Sequence, residues 1–209
     1  MIAIIDYGMG NLRSVQKALH AVGADARITS DSRAIYDAGS VVLPGVGAFR
    51  DCMENLRQLD LLKPIQKTIQ SGKPFLGICL GLQILFSQSE EFGLISGLDI
   101  IPGKVARFAL GLRDPQSGGE LKIPHMGWNR VRYKRTLSLF DGIPDDSWFY
   151  FVHSYCVRPE DPEYVVSTTH YGAEFVSGIQ HQNIHAIQFH PEKSQTLGLV
   201  LMKNFSRLK

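Results

Sequence analysis

Short apolar runs alternate with amphipathic stretches through the first half of the chain. Residues 2–5 form a continuous apolar run and read as a buried strand, while over 11–22 Leu12, Val15, Leu19 and Val22 recur at helical spacing. Residues 25–28 read as a weak strand and 40–43 as a stronger one. Helices are expected over 48–59 and 61–71, separated near Asp60, with Pro64 in the first turn of the second, where a missing N–H costs no bond. Residues 75–78 read as a further buried strand and 80–86 as a helix. Later the rhythm changes, and strands are expected over 104–108, 129–133, 148–152, 164–169, 174–180 and 184–189, with a hairpin turn at Gln182-Asn183. A helix over 195–208 closes the pattern, with Leu197, Leu201, Phe205 and Leu208 on its apolar face. The polar, glycine-containing stretch 111–120 reads as a flexible loop.

Strand–helix alternation with nearly continuous apolar strands predicts an α/β fold. The sheet should be doubly wound and mainly parallel, with helices on both faces and a strand-rich second half. With 209 residues, no internal repeat and no linker-like stretch, one domain over 1–209 is expected, large enough to bury a full core.

Charge narrows the partners. Lys and Arg total 22 against 20 Asp and Glu, a net charge of +2 with no basic run or acidic tail, so no nucleic-acid partner is expected. No apolar stretch reaches the roughly eighteen residues a membrane helix needs, and no secretory leader is visible, so a cytoplasmic protein without membrane association is expected. The three cysteines, Cys52, Cys79 and Cys156, show no paired spacing and suit a reducing compartment. Cys52 and Cys156 read as core residues. Nothing in the spacing of the seven histidines suggests a metal, and no cofactor is expected. His181 and His185 flank a predicted turn and read as surface residues at strand ends.

Three segments carry candidate chemistry. Gly77-x-Cys79-x-Gly81 sits where a strand passes into a helix, the layout of a nucleophile elbow with Cys in place of Ser. There the helix N-terminus favours negative charge on sulfur, and the Leu80 N–H can face an oxyanion. A buried Cys in an ordinary strand-to-helix turn is the plainer alternative. His190-Pro191-Glu192 leaves the end of a strand and offers an imidazole base with an orienting carboxylate. The Gly45-Val46-Gly47 loop can turn a peptide N–H inward near Val46 as a second oxyanion donor. His153 next to Ser154 is a weaker hydrolase pair, because adjacent strand residues point to opposite faces.

The order of these motifs resembles the class I, triad-type glutamine amidotransferases. Asp6-Tyr7-Gly8-Met9-Gly10-Asn11, Pro44-Gly45-Val46-Gly47, Pro124-His125-Met126-Gly127-Trp128-Asn129, His153-Ser154-Tyr155 and Gln188-Phe189-His190-Pro191-Glu192-Lys193-Ser194 look in particular like the glutaminase subunits of imidazole glycerol phosphate synthase. The resemblance covers essentially the whole chain. It implies a flavodoxin-like sheet, with Cys79 as nucleophile, His190 as base and Glu192 orienting it. It implies Val46 and Leu80 at the oxyanion, and Gly47, Gln83, Ser154 and Tyr155 around a glutamine substrate. It also implies a heterodimer with a TIM-barrel cyclase subunit in histidine biosynthesis, contacted through Tyr7, Met9, Asn11, Pro124, Met126 and Trp128. Two readings stay open beside it: a paralogue supplying ammonia for sugar amidation, and a cysteine hydrolase of similar fold.

Overall fold

The computed structural model describes residues 1–209. The first half comprises β1 (Ile2–Ile5), α1 (Leu12–Ala21), β2 (Ala26–Thr29), α2 (Ser32–Asp37), β3 (Ser40–Gly45), α3 (Phe49–Gln58), α4 (Leu62–Gln70), β4 (Phe75–Cys79) and α5 (Leu80–Gln83). The second half adds β5 (Phe86–Ser89), β6 (Ile95–Ser96), β7 (Ile101–Arg107), β8 (His125–Tyr133), β9 (Ser147–His153), β10 (Tyr155–Pro159), β11 (Val165–His170), β12 (Glu174–His181), β13 (Ile184–Ile187) and α6 (Gln195–Phe205). All strands join one thirteen-stranded sheet whose main path runs β2-β1-β3-β4-β13-β12-β10-β7-β5-β6. From β2 to β13 neighbours are parallel. Beyond β13 the pairing turns antiparallel through β12, β10 and β7, and β8, β9 and β11 form a side branch.

Side-chain alternation along β1 shows why both faces are covered. Ile2 and Ile4 point into a cluster with Val15 and Leu19 of α1 and Leu201 and Phe205 of α6. Ala3 and Ile5 point the other way, into a cluster with Ile35 of α2, Cys52 and Leu56 of α3, and Ile65 and Ile69 of α4. A strand buried on both sides has no polar positions to offer, which is why it reads as an apolar run.

Register then sets the location of the chemistry. Gly45 at the end of β3 pairs with Cys79 at the end of β4, and Ile187 of β13 pairs with Ile78. Three chain segments therefore leave the parallel block at one carboxyl edge, the edge where open α/β sheets take ligands.

The expected α/β class, doubly wound parallel strands and strand-rich second half are all present, and several details differ. The helix expected over 80–86 ends at Gln83, and Phe86 starts a strand. The carbonyls of Ile84 and Leu85 accept from Leu98 and Ile100 at 2.8 and 2.9 Å, so distant partners take over bonds that local periodicity assigned to a helix. Helix α2 was not expected; Asp31 caps it, accepting from the Ala34 N–H at 2.6 Å. The strand expected from 129 begins at His125, and β10 follows β9 after one residue, Ser154. His185 lies within β13 and is half-buried, not at the surface. The breaks at Asp60 and Gln182 hold, each with positive φ, 54° and 51°.

Two glycines explain how α5 can lie so close to the sheet. A Cβ on Gly81 would stand 1.8 Å from the Leu43 carbonyl oxygen, and one on Gly77 would stand 2.7 Å from the Gly81 carbonyl oxygen. These are backbone atoms and cannot step aside. Gly81→Ala is expected to cost about 3 kcal/mol or more, or to prevent folding. Gly39→Ala, whose Cβ would meet nothing nearer than the Met1 carbonyl at 3.8 Å, should stay within about 0.5 kcal/mol. Urea unfolding midpoints of the two variants make the comparison.

Candidate active site

Cys79 ends β4 with φ 56° and ψ −107°, a conformation that belongs to neither helix nor strand and persists only where surrounding structure imposes it. The glycines beside it do not carry this conformation; Cys79 itself does, and they supply the room behind it. The side chain is nearly buried, at 6% exposure. The amides of the first turn of α5, beginning with Leu80, have no helical carbonyl before them and are left for another acceptor.

His190 and Glu192 stand behind the sulfur. The His190 Nδ1 is 2.7 Å from Glu192 Oε1, and both side chains are 2% exposed. Backbone bonds hold the ring's position: the His190 N–H donates to the Tyr150 carbonyl at 2.9 Å. Ser194 Oγ donates to the His190 carbonyl at 2.6 Å and accepts from the Tyr150 N–H at 3.0 Å. The His190 Nε2 and the second Glu192 oxygen have no hydrogen-bond partner in the protein. Burial opposes a charge on the His190 ring, but the neighbouring Cys79 sulfur and the Glu192 carboxylate outweigh it and push His190 up to about 10. The geometry thus provides a sulfur at an elbow, an imidazole with one free nitrogen, and a carboxylate on the other nitrogen. That set can add a nucleophile to a carbonyl and move a proton to a leaving group.

A cavity of about 240 Å³ opens in front of the sulfur. Val46, Gly47, Leu80, Gln83, Ser154 and Tyr155 all line it together with Cys79, so the residues expected around the substrate converge on one space. Gln83 is 5% exposed, and its amide nitrogen donates to the Tyr155 carbonyl and to Gln188 Oε1, each at 3.0 Å.

The glutamine amidotransferase class-I family pattern matches residues 3–207. The chain belongs to this family. It is 53% identical over 208 residues to the imidazole glycerol phosphate synthase subunit HisH of Geobacter metallireducens, covering 100% of this chain and 98% of that one. It is 50% identical over 205 residues to the protein of the same name from Aquifex aeolicus, covering 98% and 95%. Among solved structures, one described as a glutamine amidotransferase superposes with a TM-score of 0.72 at 17% identity, covering 98% of this chain and 97% of the other. A chain in the structure of PurLQS from Thermotoga maritima gives 0.71 at 17%, covering 98% and 94%. At that identity the two structures speak for the fold alone.

In this amidotransferase chain some cavity residues had no mark in the sequence. Glu91 lines the cavity and its Oε2 accepts from the Phe49 N–H at 2.7 Å. It is half-buried, and that burial raises its carboxyl above the ordinary range, although the Phe49 bond pulls the other way. Next to Glu90 it reads as one more surface charge, and only the turn after β5 brings it inward. The residues expected at a partner divide. Tyr7 is fully buried, its hydroxyl donating to the Pro44 carbonyl at 2.9 Å, so it supports the Gly45 loop from beneath and offers no surface. Met9 is half-buried and reaches toward Gly47, where a Cβ would meet its Cε at 2.6 Å. Asn11 and Pro124 are exposed, as are Met126 at 62% and Trp128 at 42%. Trp148, which the sequence reading passed over, is 49% exposed on the strand paired with β8.

A buried histidine pair links that strand to the cavity. His153 Nδ1 is 2.8 Å from the Tyr155 carbonyl, His125 Nδ1 is 3.0 Å from His153 Nε2, and Asn129 Nδ2 is 3.2 Å from His125 Nε2. The Tyr155 carbonyl can only accept, so His153 carries its proton on Nδ1. Its Nε2 then accepts, which puts the His125 proton on Nδ1 as well. The Asn129 amide nitrogen is identified by its second bond, to the His170 carbonyl at 2.9 Å. Burial, the largest influence on each, pushes His153 down to about 3 and His125 to about 4. Nitrogen-detected imidazole spectra should therefore show both rings neutral with the proton on Nδ1 from pH 8 to about pH 5. An Nε2–H ring, or titration near the ordinary 6.5, contradicts the arrangement. The folded rings refuse protons that the unfolded chain takes up, so they cost no stability above about pH 6.5 and progressively more as the pH falls toward about 4.

Proposed function

We propose that this chain is the glutaminase subunit of an imidazole glycerol phosphate synthase. It hydrolyses glutamine to glutamate and ammonia and passes the ammonia to a TIM-barrel cyclase subunit, with which it forms a heterodimer in histidine biosynthesis. The observation that carries the reading is the Cys79 elbow backed by the His190–Glu192 pair at 2.7 Å, open to one cavity. No helix is long and apolar enough to cross a membrane.

The chemistry runs in two halves. The Cys79 sulfur adds to the side-chain amide carbon of glutamine, and the oxygen takes the negative charge. The N–H groups of Leu80 and of the Val46 peptide stabilise that oxygen, each worth about 10²–10³ in rate. His190 gives its proton to the departing nitrogen, ammonia leaves, and a thioester remains. Water then attacks the thioester while His190 takes its proton, and glutamate leaves as the sulfur is restored. Glu192 keeps the His190 ring turned so that Nε2 does this work.

Recognition of the amino-acid end follows from the cavity wall. Gln83 donates both amide hydrogens to protein acceptors, so its Oε1 and the Glu91 carboxylate accept from the substrate ammonium. Gly47 and the backbone of Ser154 and Tyr155 hold the carboxylate. Asn11, Pro124, Met126 and Trp128, together with Trp148, form the partner-facing rim.

Cys79→Ala should lower glutamine-dependent turnover by more than about 10⁴, while ammonium salts still support the assembled synthase. A diazoketone analogue of glutamine should label Cys79; peptide mass spectrometry finding the label on Cys52 or Cys156 would overturn the assignment. Glu91→Gln should raise the glutamine KM by about tenfold or more with a smaller change in kcat, because a bond to a charged group is worth about 1.5–3 kcal/mol. Steady-state kinetics separates the two effects.

A further inference from the structure

Gln188 lies one residue beyond β13, its side chain completely buried, and the chemistry above makes no use of it. The orientation of its amide is dictated by a backbone atom two links away. The Tyr155 carbonyl oxygen can only accept, so the Gln83 atom 3.0 Å from it is the amide nitrogen. That nitrogen is also 3.0 Å from Gln188, so the Gln188 atom facing it is the amide oxygen. The remaining end, the Gln188 NH₂ group, is thereby directed at the Cys79 Sγ, 3.5 Å away. The Gln188 main-chain N–H donates to the Ser177 carbonyl at 2.9 Å, which seats the residue on β12.

The sulfur thus sits between two unlike neighbours. The Val152 carbonyl oxygen, 3.9 Å away, accepts from a thiol and repels a thiolate. The Gln188 amide does the reverse. The titratable groups around the sulfur are His190 with Glu192 behind it, His153 and Glu91 on the cavity wall, and Tyr7 beneath. Burial keeps Tyr7 and His153 neutral at ordinary pH, so His190 supplies the positive charge and Gln188 a neutral donor. We infer that Gln188 is a further catalytic residue: its side-chain N–H donates to the Cys79 sulfur, favours the charged form and fixes its direction of attack. Charge leaves the sulfur as the sulfur–carbon bond forms, and the Gln188 bond weakens in step. The role rests on the glutaminase reading, but its test needs no glutamine.

Gln188→Met keeps the side chain's length and removes the donor to sulfur without placing a charge or a new donor beside it. With iodoacetamide at neutral pH, alkylation at Cys79, mapped by peptide mass spectrometry, should slow by about tenfold or more, since a bond to a charged group is lost. The pH midpoint of alkylation should move upward. An unchanged alkylation rate and midpoint overturn the assignment even if turnover is lost, because a residue that only fills space leaves the charge on sulfur alone. If the variant does not fold, the unmodified chain decides. The side-chain amide resonance of Gln188 should shift across the pH midpoint of Cys79 alkylation, and a resonance that stays still there overturns the inference equally. Normal alkylation behaviour in a chain that never turns over glutamine would count against the glutaminase reading and leave the Gln188–Cys79 bond standing.

Discussion

Three stretches of backbone meet behind Cys79 with no side chain between them. Leu43 on β3, Gly77 on β4 and Gly81 on α5 approach so closely that a single Cβ on either glycine would overlap a carbonyl. This convergence keeps Cys79 in its positive-φ conformation, because any relaxation would have to push a strand away from its neighbour. The rest of the site depends on it. The sulfur's outlook, the direction of the first amides of α5 and the nearness of the Gly45 loop follow from where α5 lies. The same crowding reaches Gly45, where a Cβ would stand 2.7 Å from both the Leu80 Cβ and the Tyr7 hydroxyl. Tyr7 is thus a strut of the loop it supports.

Buried histidines in one chain are driven to opposite charge states by their neighbours. His125, His153 and His185 are all pushed down, chiefly by burial. His190 experiences the same burial, yet a sulfur and a carboxylate reverse the outcome. Desolvation alone is a poor guide to a buried imidazole, and the identity of the atoms within reach decides. Among these four imidazoles a positive charge is kept only at His190, where the proposed reaction uses one, while His153 on the cavity wall stays neutral.

Much of this was legible in the residues. The apolar runs of β1, β3 and β4 mark a sheet covered on both faces, and the elbow and the His190-Pro191-Glu192 segment are each local in sequence. What stayed hidden depends on contacts between distant segments. The early end of α5 arises from bonds to residues 98–101. Glu91 faces the cavity only because β5 turns there, and Gln188 reaches the sulfur only after β13 is seated between β4 and β12. Tyr7 misled in the other direction, since an aromatic residue in a glycine-rich loop looks like surface until the loop is seen to fold over it.

The parallel pairing of β13 with β4 also orders events during synthesis. Phe75 pairs with Ile184, and the Phe75 N–H donates to the Asn183 carbonyl, so the central strand waits for a partner that the ribosome makes more than a hundred residues later. Until then β4 has one neighbour, β3, and a bare edge on the other side. A nascent chain that has exposed Cys79 has neither the imidazole nor the carboxylate to activate it. The same late strand carries Gln188, His190 and Glu192 toward the sulfur together. The thiol therefore meets its base in one closing step, and a translation product truncated before β13 contains the sulfur and the cavity-lining residues but neither the imidazole nor the carboxylate.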